Sequence, residues 1–133
     1  MREILFRGKR ICDDEWIEGF FGRYHNGESD VACISIRSNG FFGLSSYEVD
    51  PETVGQYTGL TDKNGNKIFE GDIVQNISER KKGIVQWFEE HAAFLIYCQS
   101  ENTLYWLYDN DFSNLEVIGN IHDNPELIGG GDE

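Results

Sequence analysis

Glu70 and Asp72 are the carboxylate pair in this chain best spaced for chemistry. Two positions apart on a strand they would share a face, where paired carboxylates can share a proton or hold a magnesium ion for phosphate-ester hydrolysis. The competing reading is structural: Asp72 accepts hydrogen bonds from turn amides beside Gly71 and fixes a bend. The residue types favour the bend. Asp62, Asn64, Gly65 and Glu70 loosely imitate a calcium loop, but Lys63 and Lys67 add positive charge, the spacing is wrong and helical flanks are missing. His25, His91 and His122 form no HxxxH or HExxH pattern, so no metal site is expected. Ser45 and Ser46 lie in a strand-like run without an elbow or a nearby histidine. No nucleophile, phosphate cradle or cofactor motif emerges, and the expectation is a protein that is not an enzyme and binds no cofactor.

Binding offers a second class of chemistry. Arg80, Lys81 and Lys82 precede Trp87, and small β-barrels can stack bases or grip peptides on such residues. This is the candidate partner-binding stretch. It borders an acidic region, which disfavours nucleic acid, and the many aromatics of the C-terminal two-thirds are needed to fill a small core.

Charge points the same way. The chain has 24 acidic and 11 basic residues, a formal net of −13, and beyond Lys82 come ten acidic residues and no Lys or Arg. Such a field repels nucleic acid and attracts cationic partners. The plainer reading is an acidic protein with solvated faces. The alternative is a surface that steers a basic protein, and in one version the acidic C-terminal third would imitate nucleic-acid phosphate, so the expected partner is a protein of unknown identity. Exposed strand edges make self-association possible with no stoichiometry implied. Cys12, Cys33 and Cys98 are odd in number and lack a CxxC, which suits a reducing cytoplasm. No signal peptide or 18-residue apolar run is visible, so no membrane association is expected.

The elements that must position these residues read as all-β. Aromatics make up 14% of 133 residues, with 15 Gly and only 2 Pro. Alternation in Trp16–Phe20 and Ala32–Ile36, and turn clusters at Asn26-Gly27, Ser38-Asn39-Gly40, Asn64-Gly65 and Asp109-Asn110-Asp111, argue for a meander or small barrel. Gly55 to Val74 is the densest segment. Asn64-Gly65 would supply positive-φ positions for a hairpin, and Gly71 a bend that a side chain would obstruct. Ile68, Ile73 and Val74 would point inward, with Phe69 closing one end. Asn76–Lys82 reads as an exposed loop. One short helix is signalled, with Asp123 or Asn124 as cap, Pro125 first and Gly129 past its end.

Phe6-Arg7-Gly8-Lys9, Trp16, Gly19, and the run from Pro51 through Gly55, Tyr57, Gly59 and Leu60 together make a recognisable pattern. It continues through Asp62, Gly65, Phe69, Glu70-Gly71-Asp72-Ile73-Val74 and Gly83, and ends at Asn120 to Leu127. On these residues the chain resembles the YopX family of phage and prophage proteins from Gram-positive bacteria. The resemblance implies a mostly β fold with an SH3-like barrel in the C-terminal part, and it supplies no catalytic residues. The expected layout is an N-terminal β region over 1–50, the barrel region with its short helix over 51–128, and a disordered tail over 129–133. The expected function is an intracellular, phage-encoded protein-interaction module with an acidic surface, its partner an unidentified host or phage protein. The alternatives are a nucleic-acid-binding barrel and a metal-dependent phosphoesterase using Glu70 and Asp72.

Overall fold

The computed structural model describes residues 4–25, 27–37, 44–77, 80–99, 101–106 and 114–128. The chain is nearly all β. It divides into two compact units, residues 1–57 and 58–133, with the division inside one strand rather than at Asp50-Pro51. Asp50-Pro51 instead starts a single 3-10 turn, Pro51–Thr53, where the Asp50 side chain accepts from the Glu52 amide at 3.0 Å. The turn clusters at 38–40 and 109–111, and the tail at 129–133, lie outside the described residues.

In the N-terminal unit β1 (Phe6–Lys9), β2 (Trp16–His25), β3 (Asp30–Arg37) and β4 (Leu44–Glu48) form an antiparallel meander. The start of β5 (Gly55–Thr61) pairs with the other side of β1 at Phe6–Gln56 and Arg7–Gly55. Alternation sends Ala32 and Ile34 to one face, where they bury with Val49 against Phe6, Ile17, Phe21 and Val54. Thr53 ties the 3-10 turn to β1, its hydroxyl accepting from the Lys9 amide at 2.9 Å.

In the C-terminal unit the rest of β5 pairs with β6 (Lys67–Phe69). A five-stranded sheet follows, in the order β10-β9-β8-β7-β11. Its members are β7 (Asp72–Asn76), β8 (Lys81–Phe88), β9 (Ala93–Cys98), β10 (Thr103–Trp106) and β11 (Leu115–Asn120). The sheet does not return on itself, so the barrel is not closed. Ile68 buries with Val74, Val85, Ile96 and Leu115, with Leu60, Phe94, Tyr105 and Val117 packed around them. Ile73 and Phe69 are buried as expected.

Two differences from the sequence expectation have local causes. Asn76 and Lys81-Lys82 are strand residues, because β7 and β8 pair through Asn76–Lys81 and Gln75–Lys82. The expected C-terminal helix is one 3-10 turn, Pro125–Leu127, without a side-chain cap. Asn124 Oδ1 accepts instead from the Asn120 amide at 3.2 Å.

The Gly55–Val74 segment works through two carboxylates. Asp62 is 5% exposed. Its Oδ1 accepts from the amides of Asn64 and Asn66, both at 2.9 Å, and its Oδ2 from the Val117 amide at 2.9 Å. The Asp62 carbonyl also accepts from the Gly65 amide, with Gly65 at φ 85°. Only Gly65, not Asn64, takes a positive φ here, as in a three-residue hairpin loop ending in a left-handed residue. Burial works against the Asp62 charge. The amides of Val117, Asn66 and Asn64, with the Asn66 side chain, outweigh it and hold the carboxyl below its ordinary 3.8.

Asp72, 1% exposed, accepts from the Phe69 amide at 2.7 Å, which closes the turn through Glu70 and Gly71. Gly71 sits at φ 94°, donates to the Val85 carbonyl at 2.8 Å and accepts from the Ile121 amide at 3.0 Å. A β-branched residue cannot take this conformation without strain. Gly71→Val is expected to cost about 3 kcal/mol, read as a lower urea midpoint, and an unchanged midpoint would sink the assignment.

Asp62→Asn keeps the shape but replaces one acceptor oxygen with a donor, setting NH2 against a backbone amide. The expected cost is about 2 kcal/mol at neutral pH. A carboxyl whose folded pKa is depressed stabilises fully above its unfolded value and loses that contribution as pH falls through the folded one. The difference between wild type and Asp62→Asn should therefore shrink from about pH 7 to about pH 3. An equal difference at both values would show that the charge itself contributes nothing.

Candidate functional site

The structure assigns Glu70 and Asp72 different environments. Glu70 is in the turn between β6 and β7, not on a strand, so the two do not project from one strand face. Asp72 is buried and already accepts from the backbone. Asp62 likewise spends both oxygens on amides. Among the described residues, no group of three or more His, Cys, Asp or Glu is placed to hold a metal ion. His25 lies across the β2–β3 hairpin from Asp30, with Nδ1 to Oδ1 at 3.2 Å and both side chains exposed.

The basic stretch is also dispersed. Arg80 occupies a left-handed turn position at φ 59°, its amide donating to the Asn76 carbonyl at 2.6 Å. Lys81 and Lys82 open β8, and successive strand side chains point to opposite faces. Trp87 is six residues beyond Lys81 on the same strand, a separation of about 20 Å. It is 45% exposed and meets Phe94 edge-on, with centroids 5.1 Å apart. The four residues therefore do not make one cationic and aromatic surface.

What the fold does assemble around Lys81 is a cluster that sequence reasoning missed. Lys81 Nζ lies 3.1 Å from Glu101 Oε2, and the Tyr105 hydroxyl donates to Glu101 Oε1. Lys81 also lies 5.8 Å from the Tyr105 ring centroid. The Glu101 hydrogen bond and charge push the Lys81 pKa up. The hydrogen bond to Glu101 also raises the Tyr105 phenol, and donation from Tyr105 and then Lys81 lowers the Glu101 carboxyl. A small cavity of about 40 Å³ beside them is lined by Val74, Gly83, Ile96, Cys98 and Leu115, with Lys81 and Tyr105. It has room for roughly three waters. Glu101 and Tyr105 reach Lys81 only through the registers of β8 with β9 and β9 with β10, which no local sequence pattern signals.

Of the motif residues, Gly55, Tyr57, Asp62, Phe69, Gly71 and Asp72 are buried, while Gly59 and Gly65 are exposed at positive φ. All serve backbone geometry or packing. Cys33 and Cys98 are buried, and Cys12 is exposed beside Arg10, Nη2 to Sγ at 3.3 Å.

No curated protein matches the chain. Among solved structures, the crystal structure of protein EF1440 from Enterococcus faecalis is similar at a TM-score of 0.59 and 25% identity. That likeness covers 96% of this chain and 99% of that one. The family model for the YopX protein matches residues 5–129. A match over nearly the whole chain, on a fold whose turn and bend residues are those of the pattern, establishes that the chain belongs to the YopX family.

Proposed function

We propose that this protein is a non-enzymatic interaction module, phage- or prophage-encoded and working in the host cytoplasm, that engages a cationic protein. The observation that carries this reading is the use of its carboxylates. Among the described residues the two that are buried, Asp62 and Asp72, hold backbone amides, where a catalytic acid or metal ligand would need free oxygens. The rest make a one-sided field. Residues 58–133 hold fourteen Asp and Glu against five Lys and Arg, a formal −9 of the chain's −13. Lys81, one of those five, is neutralised by Glu101. Glu89, Glu90 and Glu126 are exposed. A surface of this sign raises the encounter rate with positive partners and weakens with salt. No helix among the described residues is long and apolar enough to cross a membrane.

The test is a pull-down with the tagged full chain from infected and uninfected host lysate, washed at rising salt. The expected result is capture of a basic protein that elutes by roughly 0.5 M salt, where the screening length falls to a few ångströms. Capture that ignores salt, or no basic protein among those captured, would overturn the reading.

A further inference from the structure

The N-terminal unit stacks cations on its aromatics with some regularity. Arg7 lies 4.8 Å from the Trp16 ring centroid, Arg10 lies 4.5 Å from Tyr47, and Arg23 lies 5.9 Å from Phe21. Two rings depart from this habit. Phe20 and Tyr24 are 53% and 56% exposed, and among the described residues neither has a ring or cation partner.

Their positions are ordered by the sheet. Phe20, Gly22 and Tyr24 alternate along β2 and so share one face, opposite to the partly buried Phe21. Gly22 pairs with Cys33 on β3, and Cys33 pairs with Glu48 on β4. On this face Gly22 leaves one open position among the described residues, between the rings of Phe20 and Tyr24, whose positions are about 13 Å apart along the strand, and Cys33 and Glu48 continue its row. The vacancy is real, since a Cβ built on Gly22 would meet nothing within 4 Å. Cys33 floors the row as a buried thiol. Glu48, exposed and without an ion pair among the described residues, ends it about 10 Å from Gly22.

We propose that this row is a binding slot for an arginine side chain of the cationic partner, a proposal that rests on the interaction-module reading above. The guanidinium would lie over Gly22 between the Phe20 and Tyr24 rings, with its donor edge turned toward the Glu48 carboxylate across Cys33. Arginine fits better than lysine. Its planar guanidinium stacks on rings and presents a two-pronged donor edge to a carboxylate, whereas an ammonium is a strongly hydrated point charge. Glu18 shares this face but lies beyond Phe20, opposite Arg7 in the register of β1 with β2, and so outside the row.

The test is calorimetric titration of the full chain with hexaarginine and hexalysine peptides at about 150 mM salt. The expected result is tighter binding of hexaarginine, with Gly22→Val and Glu48→Gln each weakening it about tenfold. Gly22→Val fills the slot where no neighbour is in the way, and Glu48→Gln keeps the shape while removing the charge, so the two fail for different reasons if either misfolds. Ring resonances of Phe20 and Tyr24 should shift on binding. No hexaarginine binding, or equal binding by wild type and both variants, would overturn the slot. In the pull-down, a basic protein held equally by wild type and Gly22→Val removes the slot but leaves the module reading standing. Hexaarginine bound in the slot with no basic protein captured does the reverse.

Discussion

The buried Asp62 carboxylate is the constraint around which the C-terminal unit is arranged. It closes its own hairpin through Asn64 and Asn66, and it reaches a strand 55 residues away through the Val117 amide. Alongside it, the Lys63 amide donates to the Leu115 carbonyl at 3.1 Å. A single side chain thus sets the loop conformation and fixes where β11 joins. A neutral side chain of the same size offers fewer acceptor sites, so the site calls for an anion despite the cost of burying it. The depressed pKa is the sign that the backbone donors outweigh that cost.

Gly71 plays the complementary part at the other end of the hairpin. Its amide and carbonyl bridge Val85 and Ile121, and Asp72 holds the turn that makes this possible. The register of β11 against β7 slips between Val117 and Gly119, between the Asp62 anchor and the Gly71 anchor. Beyond the slip, Asn120 Oδ1 accepts from the amides of His122 and Asp123, which turns the chain after the strand. Two local devices thus hold one strand at two points, and the irregularity between them is accommodated by a bulge.

Much of this was legible because turn chemistry is local. Gly65 and Gly71 announce positive φ, Asp72 beside Gly71 announces a capped bend, and Ala32–Ile36 reads as a strand, although burial there runs through four successive residues, Val31 to Ile34, instead of alternating. What stayed hidden depends on partners distant in sequence. The Asp62–Val117 bond, the extension of β7 and β8 to Asn76 and Lys81, and the Lys81–Glu101–Tyr105 cluster all follow from strand register. Arg80, Lys81, Lys82 and Trp87 are spread out for the converse reason. Proximity in sequence along an extended strand means separation in space, and alternation divides neighbours between faces.

The same geometry explains why aromatic residues carry different meanings in the two units. In the C-terminal unit Phe94 and Tyr105 pack against a core of Ile68, Val74, Val85, Ile96 and Leu115, so even a half-exposed ring is committed to packing. In the N-terminal unit the cluster of Ala32, Ile34 and Val49 lies on the Phe21 face of β2, while on the opposite face Val31 and Cys33 are buried and the Phe20 and Tyr24 rings are exposed. Exposed rings cost little stability singly, since soluble surfaces carry many apolar atoms. Two of them spaced around an empty glycine position, with a carboxylate at the end of the row, form a surface with a shape and a charge. In an acidic chain that already stacks Arg7, Arg10 and Arg23 on its own rings, the chemistry such a surface lacks is a cation.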